Sequence, residues 1–155
     1  MKRVLLPLLA ALVAMLVVAA VAGGHGSKGK RSLELISSDT SITFVDVDPK
    51  QANPDTEPPT PGDGFVLSEK LHDHGDDFGT LYAQCTFVTA DVIQCVATFD
   101  LPNGQITVQG TQRDVLDFTV AVTGGTGDYS GASGTMTGHD SAEDGGPSTY
   151  TFQFR

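Results

Sequence analysis

From Phe65 onward apolar and polar residues alternate in short runs: FVLSEKL, GTLYAQCTF, IQCVATF, QITVQGT, DFTVAVT, GASGTMTG and STYTFQF, each bounded by Gly, Pro, Asn or Asp. Phe118, Val120 and Val122 fall on one face of their run, with Thr119, Ala121 and Thr123 on the other. Tyr150, Phe152 and Phe154 alternate in the same way with Thr149, Thr151 and Gln153. A period of two is that of a strand with one face buried, and nothing after residue 22 has a helical period.

Upstream, LELISSDTSITFVDVD (Leu33–Asp48) reads as one more strand, interrupted near Ser37-Ser38-Asp39. Together the segments make about eight strands, spaced as in an antiparallel meander. The fold expected is all-β, an eight-stranded antiparallel β-barrel, because closure removes exposed edges and leaves room for packed side chains or one small ligand. A two-sheet sandwich is the alternative. Pro49 to Gly64 holds five prolines and three acids and reads as a long loop.

The first 22 residues break this pattern. Lys2 and Arg3 precede an apolar run from Val4 to Val18 and a small-x-small site, Ala20-Val21-Ala22, so residues 1–22 read as a secretory signal peptide cleaved after Ala22. An uncleaved membrane anchor is the alternative; no stable membrane insertion is expected after cleavage. Residues 23–32 read as a flexible Gly/Ser/Lys-rich segment and 33–155 as a single β-barrel domain. The expected location is secreted, extracellular.

Without residues 1–22 the chain carries seven basic and nineteen acidic residues, a formal charge of −12. That excess argues against nucleic acid as a partner, since phosphate binding needs Lys and Arg to displace counterions. Cys85 and Cys95 flank CTFVTADVIQC, whose central TAD reads as a hairpin turn near Ala90. The hairpin sets the two opposite each other, and an oxidising compartment favours a disulfide over two free thiols.

VTGGTGDYSGASGTMTG (Val122–Gly138) carries six glycines, as a phosphate-binding loop does. Such a loop must open a helix, whereas here a strand follows and no Lys-Ser/Thr pair occurs, so the segment reads as a strand-to-strand turn.

AVTGGTGDYSGASG (Ala121–Gly134) resembles the late-strand turn of the allene oxide cyclase and dirigent barrel superfamily. NGQITVQG (Asn103–Gly110), PGDGFVLSEKL (Pro61–Leu71) and FGTLYAQC (Phe78–Cys85) resemble further cyclase blocks in the same order, so the likeness covers roughly residues 61–138. The resemblance implies an eight-stranded barrel with an apolar cavity, often a homo-oligomer (trimer), which binds a small hydrophobic or phenolic ligand. It implies cyclisation of an unstable allene oxide or stereoselective coupling of radicals, with no cofactor. Such a protein acts by holding a reactive substrate in one conformation.

Glu69 stands where the cyclases have an Asn that fixes a water and dirigent proteins an Asp of the pocket, so the resemblance makes it the leading catalytic candidate, as base or cation stabiliser. Asp46, expected on the first strand, lies near the cyclases' catalytic Glu. Cys85 matches a cavity cysteine, but Cys95 has no counterpart there, and a disulfide removes the thiol. Ser133 replaces the Arg of the dirigent A-R-G motif. A non-catalytic ligand-binding or structural barrel is the competing expectation.

LHDHGDDFG clusters His72, Asp73, His74, Asp76 and Asp77, residue types that suit a divalent metal. Their expected place is a solvated turn, and no metal site is predicted. His25 and His139 suggest nothing specific. No nucleophile-elbow sequence marks a Ser/His/Asp hydrolase. Tyr82, Tyr129 and Tyr150 read as packing residues.

Overall fold

A computed structural model describes residues 32–47, 57–113, 116–141 and 146–155. The signal peptide expected at 1–22, most of the flexible segment expected at 23–32 and the first part of the Pro-rich loop lie outside the described residues.

Eight strands follow in order: β1 (Ser32–Val45), β2 (Gly64–Asp73), β3 (Asp76–Thr89), β4 (Val92–Leu101), β5 (Gly104–Gln112), β6 (Asp117–Gly125), β7 (Gly134–His139) and β8 (Thr149–Phe154). Each pairs antiparallel with the next, and β8 returns to β1, so the sheet closes into a barrel. One 3₁₀ turn, Gly127–Tyr129, interrupts the strands within the described residues. The sandwich alternative is excluded by closure.

Turn chemistry sets the register. β2 and β3 are joined through His74-Gly75, both at positive φ (51° and 93°), the primed geometry that matches strand twist. β4 and β5 are joined through Pro102-Asn103, with Asn103 at φ 68°, the type II pattern of Pro followed by a residue at positive φ. His72 and Asp73 therefore belong to β2, and Asp76 and Asp77 to β3, rather than to one long turn. Similarly β7 starts at Gly134, leaving Gly131 to Ser133 in the preceding turn.

The Gly-rich segment is a strand-to-strand connection. Gly127 sits at φ 57°, and a Cβ there would lie 1.8 Å from the Asn103 carbonyl oxygen. The β6–β7 connection thus lies directly on the β4–β5 turn, where the Asp128 amide donates to Asn103 O at 3.0 Å.

Alternation directs one face of every strand inward. Leu35, Leu71, Phe99, Ile106 and Phe152 are fully buried there, and Phe99 contacts both Tyr150 and Phe152 edge-to-face at 5.4 and 4.9 Å. At about 1.5–3 kcal/mol for each such side chain, this inner face is the main source of stability. Cys85 and Cys95 are direct cross-strand partners and form a disulfide, Cα–Cα 4.1 Å, tying β3 to β4. Asp63 organises the loop entering β2: its carboxylate accepts from Val47 N (2.9 Å), Thr60 N (2.6 Å) and Thr60 Oγ1 (2.9 Å).

β1 carries the interruption expected near Ser37-Ser38-Asp39. Ser38 pairs with Lys70 and Ser41 with Ser68, so Asp39 and Thr40 together face the single residue Glu69. Asp39 takes positive φ, 50°, to make this bulge. The strand ends at Val45, which leaves Asp46 beyond it rather than on it.

Candidate functional site

Glu69 lies on the inner face of β2 between Leu67 and Leu71 and is 5% exposed. A buried carboxyl needs hydrogen-bond partners, because desolvation without them is costly. Two hydroxyls supply them: Tyr150 donates to Oε2 at 2.7 Å and Thr40 donates to Oε1 at 3.1 Å. Tyr150 comes from the start of β8 and Thr40 from the bulge of β1. The bulge is what turns Thr40 toward the interior carboxyl.

More polar groups gather at the same end. Ser37 is 1% exposed; its amide donates to Ser148 O at 2.8 Å and its Oγ accepts from Ser148 N at 3.1 Å. Asp140 follows β7, half-buried, and its Oδ1 has no hydrogen-bond partner among the described residues. Burial pushes the Asp140 carboxyl above its ordinary value; the Ser148 hydroxyl opposes this shift and the charge of Glu69 adds to it. Burial also pushes the Tyr150 phenol far up, reinforced by the charge and hydrogen bond of Glu69. Tyr150 is therefore a protonated donor throughout the physiological range.

One end of the barrel carries exposed apolar residues. β8 pairs with β1 only over Ser32–Ile36, so the later part of β1 runs on without that neighbour. Ile42 and Phe44 pair with Leu67 and Phe65 on the inward-facing register, yet Ile42 is 45% and Phe44 71% exposed. Phe44 meets Phe65 edge-to-face at 6.0 Å. An apolar rim thus stands at one barrel end, with a buried carboxyl further in.

The residues singled out from the sequence separate. Asp46 lies past the end of β1, five residues beyond Ser41, at roughly 3.3 Å per residue about 16 Å from the bulge that faces Glu69. The structure does not bring the two carboxylates together. Cys85 is consumed in the disulfide. Ser133 is in the turn before β7. Of the His/Asp cluster, His72 Nδ1 is 3.3 Å from Asp77 and His74 Nε2 3.6 Å from Asp73; no group of three or more His, Cys, Asp or Glu side chains among the described residues is placed to hold a metal ion. His139, unassigned from the sequence, pairs with Asp117 at 2.6 Å across β6 and β7.

Tyr150 was expected only to pack. Its alternation with Phe152 and Phe154 points it inward, but its partner Glu69 is 81 residues away and only the closed register reveals the contact. Asp140 carried no periodic signal at all.

Solved structures share this barrel. Pyocyanin demethylase superposes with a TM-score of 0.68 at 22% identity, over 81% of this chain and 100% of its own. A pterocarpan synthase dirigent protein gives 0.59 at 14% identity, over 82% of this chain and 94% of its own. A Diels-Alderase from Streptomyces koyangensis gives 0.59 at 16% identity, over 80% and 63%. No protein-family model matches the chain, and no curated protein matches it. At these identities the likeness establishes a common barrel fold.

Among the described residues no helix is long and apolar enough to cross a membrane. The disulfide fits an oxidising compartment.

Proposed function

We propose that this chain is an exported barrel of the allene oxide cyclase and dirigent kind, which takes a small hydrophobic or phenolic molecule through the Phe44 rim and steers its cyclisation or stereoselective coupling beside Glu69. The observation that carries this reading is the Glu69 carboxyl, 5% exposed in an apolar barrel and held by Tyr150 and Thr40. Glu69 accepts a proton from the bound molecule or faces positive charge developing on it. Tyr150, whose one hydroxyl proton goes to Oε2, holds that carboxylate in place. The rest of the rate comes from the shape of the apolar wall, which limits the conformations a reactive substrate can adopt. Barrels named as a dirigent protein and a Diels-Alderase support the general kind of chemistry.

A second reading has its own support. Both Glu69 oxygens are already engaged and Phe99, Phe152, Leu35, Leu71 and Ile106 fill the interior around them, as in a barrel whose polar network serves the fold. Incubation with candidate reactive polyenes and phenoxy-radical precursors, followed by chiral chromatography, separates the two. Product enrichment by wild type that Glu69→Gln abolishes supports the first; identical product distributions with and without protein support the second.

A further inference from the structure

A second constellation lies on the outer wall, where the interior reading makes no use of it. Ser38 Oγ is 2.7 Å from His72 Nε2, and His72 Nδ1 is 3.3 Å from Asp77 Oδ1. The three residues come from β1, β2 and β3, all on the outward face. Asp77 can only accept, so it favours the tautomer with the proton on Nδ1 and leaves Nε2 to accept from the Ser38 hydroxyl. That is the order of hydroxyl, imidazole and carboxylate that activates a serine.

Two neighbouring features fit the same chemistry. Ser38 immediately precedes the bulge, and the next residue, Asp39, holds φ 50°, so the nucleophile sits at a sharp deviation of its strand. Asp39 and Thr40 have no cross-strand partner of their own on β2, which places their amides outside the regular ladder beside Ser38. Lys70, the Cα partner of Ser38, is ion-paired with Asp39 at 2.8 Å, which pins the bulge beside Ser38.

A surface for the rest of a substrate begins one row away. A trough of about 570 Å³ runs across the outer faces of β1 to β4, starting at the Ser41–Ser68 pair and floored by Val66, Tyr82 and Val96. Ser68 is two residues from Lys70, or roughly 7 Å along the strand. Val66, Tyr82 and Val96 are 43%, 53% and 49% exposed, an apolar strip leading away from the hydroxyl.

The geometry points to Ser38, His72 and Asp77 as an acyl-transfer site on the barrel's outer wall, acting on esters whose apolar portion lies in the β1–β4 trough. In the acylation step the Ser38 oxygen bonds to the carbonyl carbon while its proton passes to His72 Nε2. The bond from that carbon to the leaving oxygen then breaks, and the imidazolium returns the proton to the departing alcohol. Water repeats the sequence through His72, releasing the carboxylic acid and restoring Ser38. Asp77, with its carboxylate 93% exposed, is a positioning residue that holds the imidazole.

The test uses the purified protein with p-nitrophenyl butyrate and an alkyl fluorophosphonate, reading both turnover and the mass of the labelled peptide. The expected result is a covalent adduct on Ser38, absent in Ser38→Ala and formed at least about a hundredfold more slowly in His72→Gln, the range a general base supplies. Asp77→Asn slows acylation with KM for the ester unchanged. Circular dichroism of each variant shows whether the barrel is intact, so that slower acylation is read only from folded protein. No adduct on Ser38 in the folded wild type overturns the proposal. An adduct that forms equally fast in His72→Gln, or ester hydrolysis that survives Ser38→Ala, overturns it too, since either means an unactivated serine or a bare imidazole.

Discussion

Tyr150 donates to Glu69 at 2.7 Å across the inside of the barrel, joining β8 to β2 through two buried side chains. Hydrogen bonds to an ionised partner are among the stronger ones in proteins, and removing one partner leaves the other unsatisfied. Tyr150→Phe keeps the ring packed on Phe99 and removes only the donor. It should lower unfolding free energy by about 1.5–3 kcal/mol in urea titrations near neutral pH.

The same residue sets an alkaline limb. Burial raises the Tyr150 phenol, so the native state keeps a proton that the unfolded chain loses near pH 10. The native state then binds more protons than the unfolded one, and stability falls as pH rises above about 10. Urea midpoints measured from pH 8 to 11 should decline in wild type and decline less in Tyr150→Phe. A smaller limb remains from Tyr129, which burial also pushes up.

Asp63 shows the opposite sign. Hydrogen bonds from the Val47 amide and then the Thr60 amide hold its carboxyl below the usual range. Its contribution is present above the unfolded value near pH 4 and is lost as pH falls through the lower folded value. Asp63→Asn should be less stable than wild type at pH 7, and the gap should close toward pH 2 in acid-denaturation curves.

The Cys85–Cys95 bridge closes a short loop, with a sequence separation of 10. Loop-closure entropy at that length corresponds to about 3 kcal/mol. Cys85→Ala/Cys95→Ala should lose about that much in denaturant while retaining the β-sheet circular dichroism of the closed barrel.

Two glycines of one turn should respond unequally. An alanine Cβ at Gly127 meets the Asn103 carbonyl at 1.8 Å, whereas Gly131, at φ 76°, has nothing within 4 Å. Gly131→Ala should cost about 1 kcal/mol from its backbone conformation alone. Gly127→Ala should cost more than about 2 kcal/mol, because the β4–β5 turn must also move.

Strand number was legible because alternation persists in nearly every segment, from Phe65-Leu67-Glu69-Leu71 to Tyr150-Phe152-Phe154, whereas limits such as the end of β1 at Val45 and the start of β7 at Gly134 were not. The same alternation sets Glu69 in phase with Leu67 and Leu71, on the inner face. Asp46 falls beyond β1 because the strand stops at Val45, where the chain turns into the Pro-rich loop. Ser38, His72 and Asp77 stayed hidden for another reason. Their meeting depends on the β1 bulge and on a second irregularity between Leu71 and His72, and neither changes the hydrophobic pattern enough to be read from it.

The most direct test of the interior site is native mass spectrometry of the purified, oxidised protein against lipid and phenolic extracts, comparing wild type, Glu69→Gln and Phe44→Glu. The account predicts one defined small molecule retained by wild type, retained less by Glu69→Gln and excluded by the charged rim of Phe44→Glu. Retention of nothing by wild type, or equal retention by all three, would contradict it.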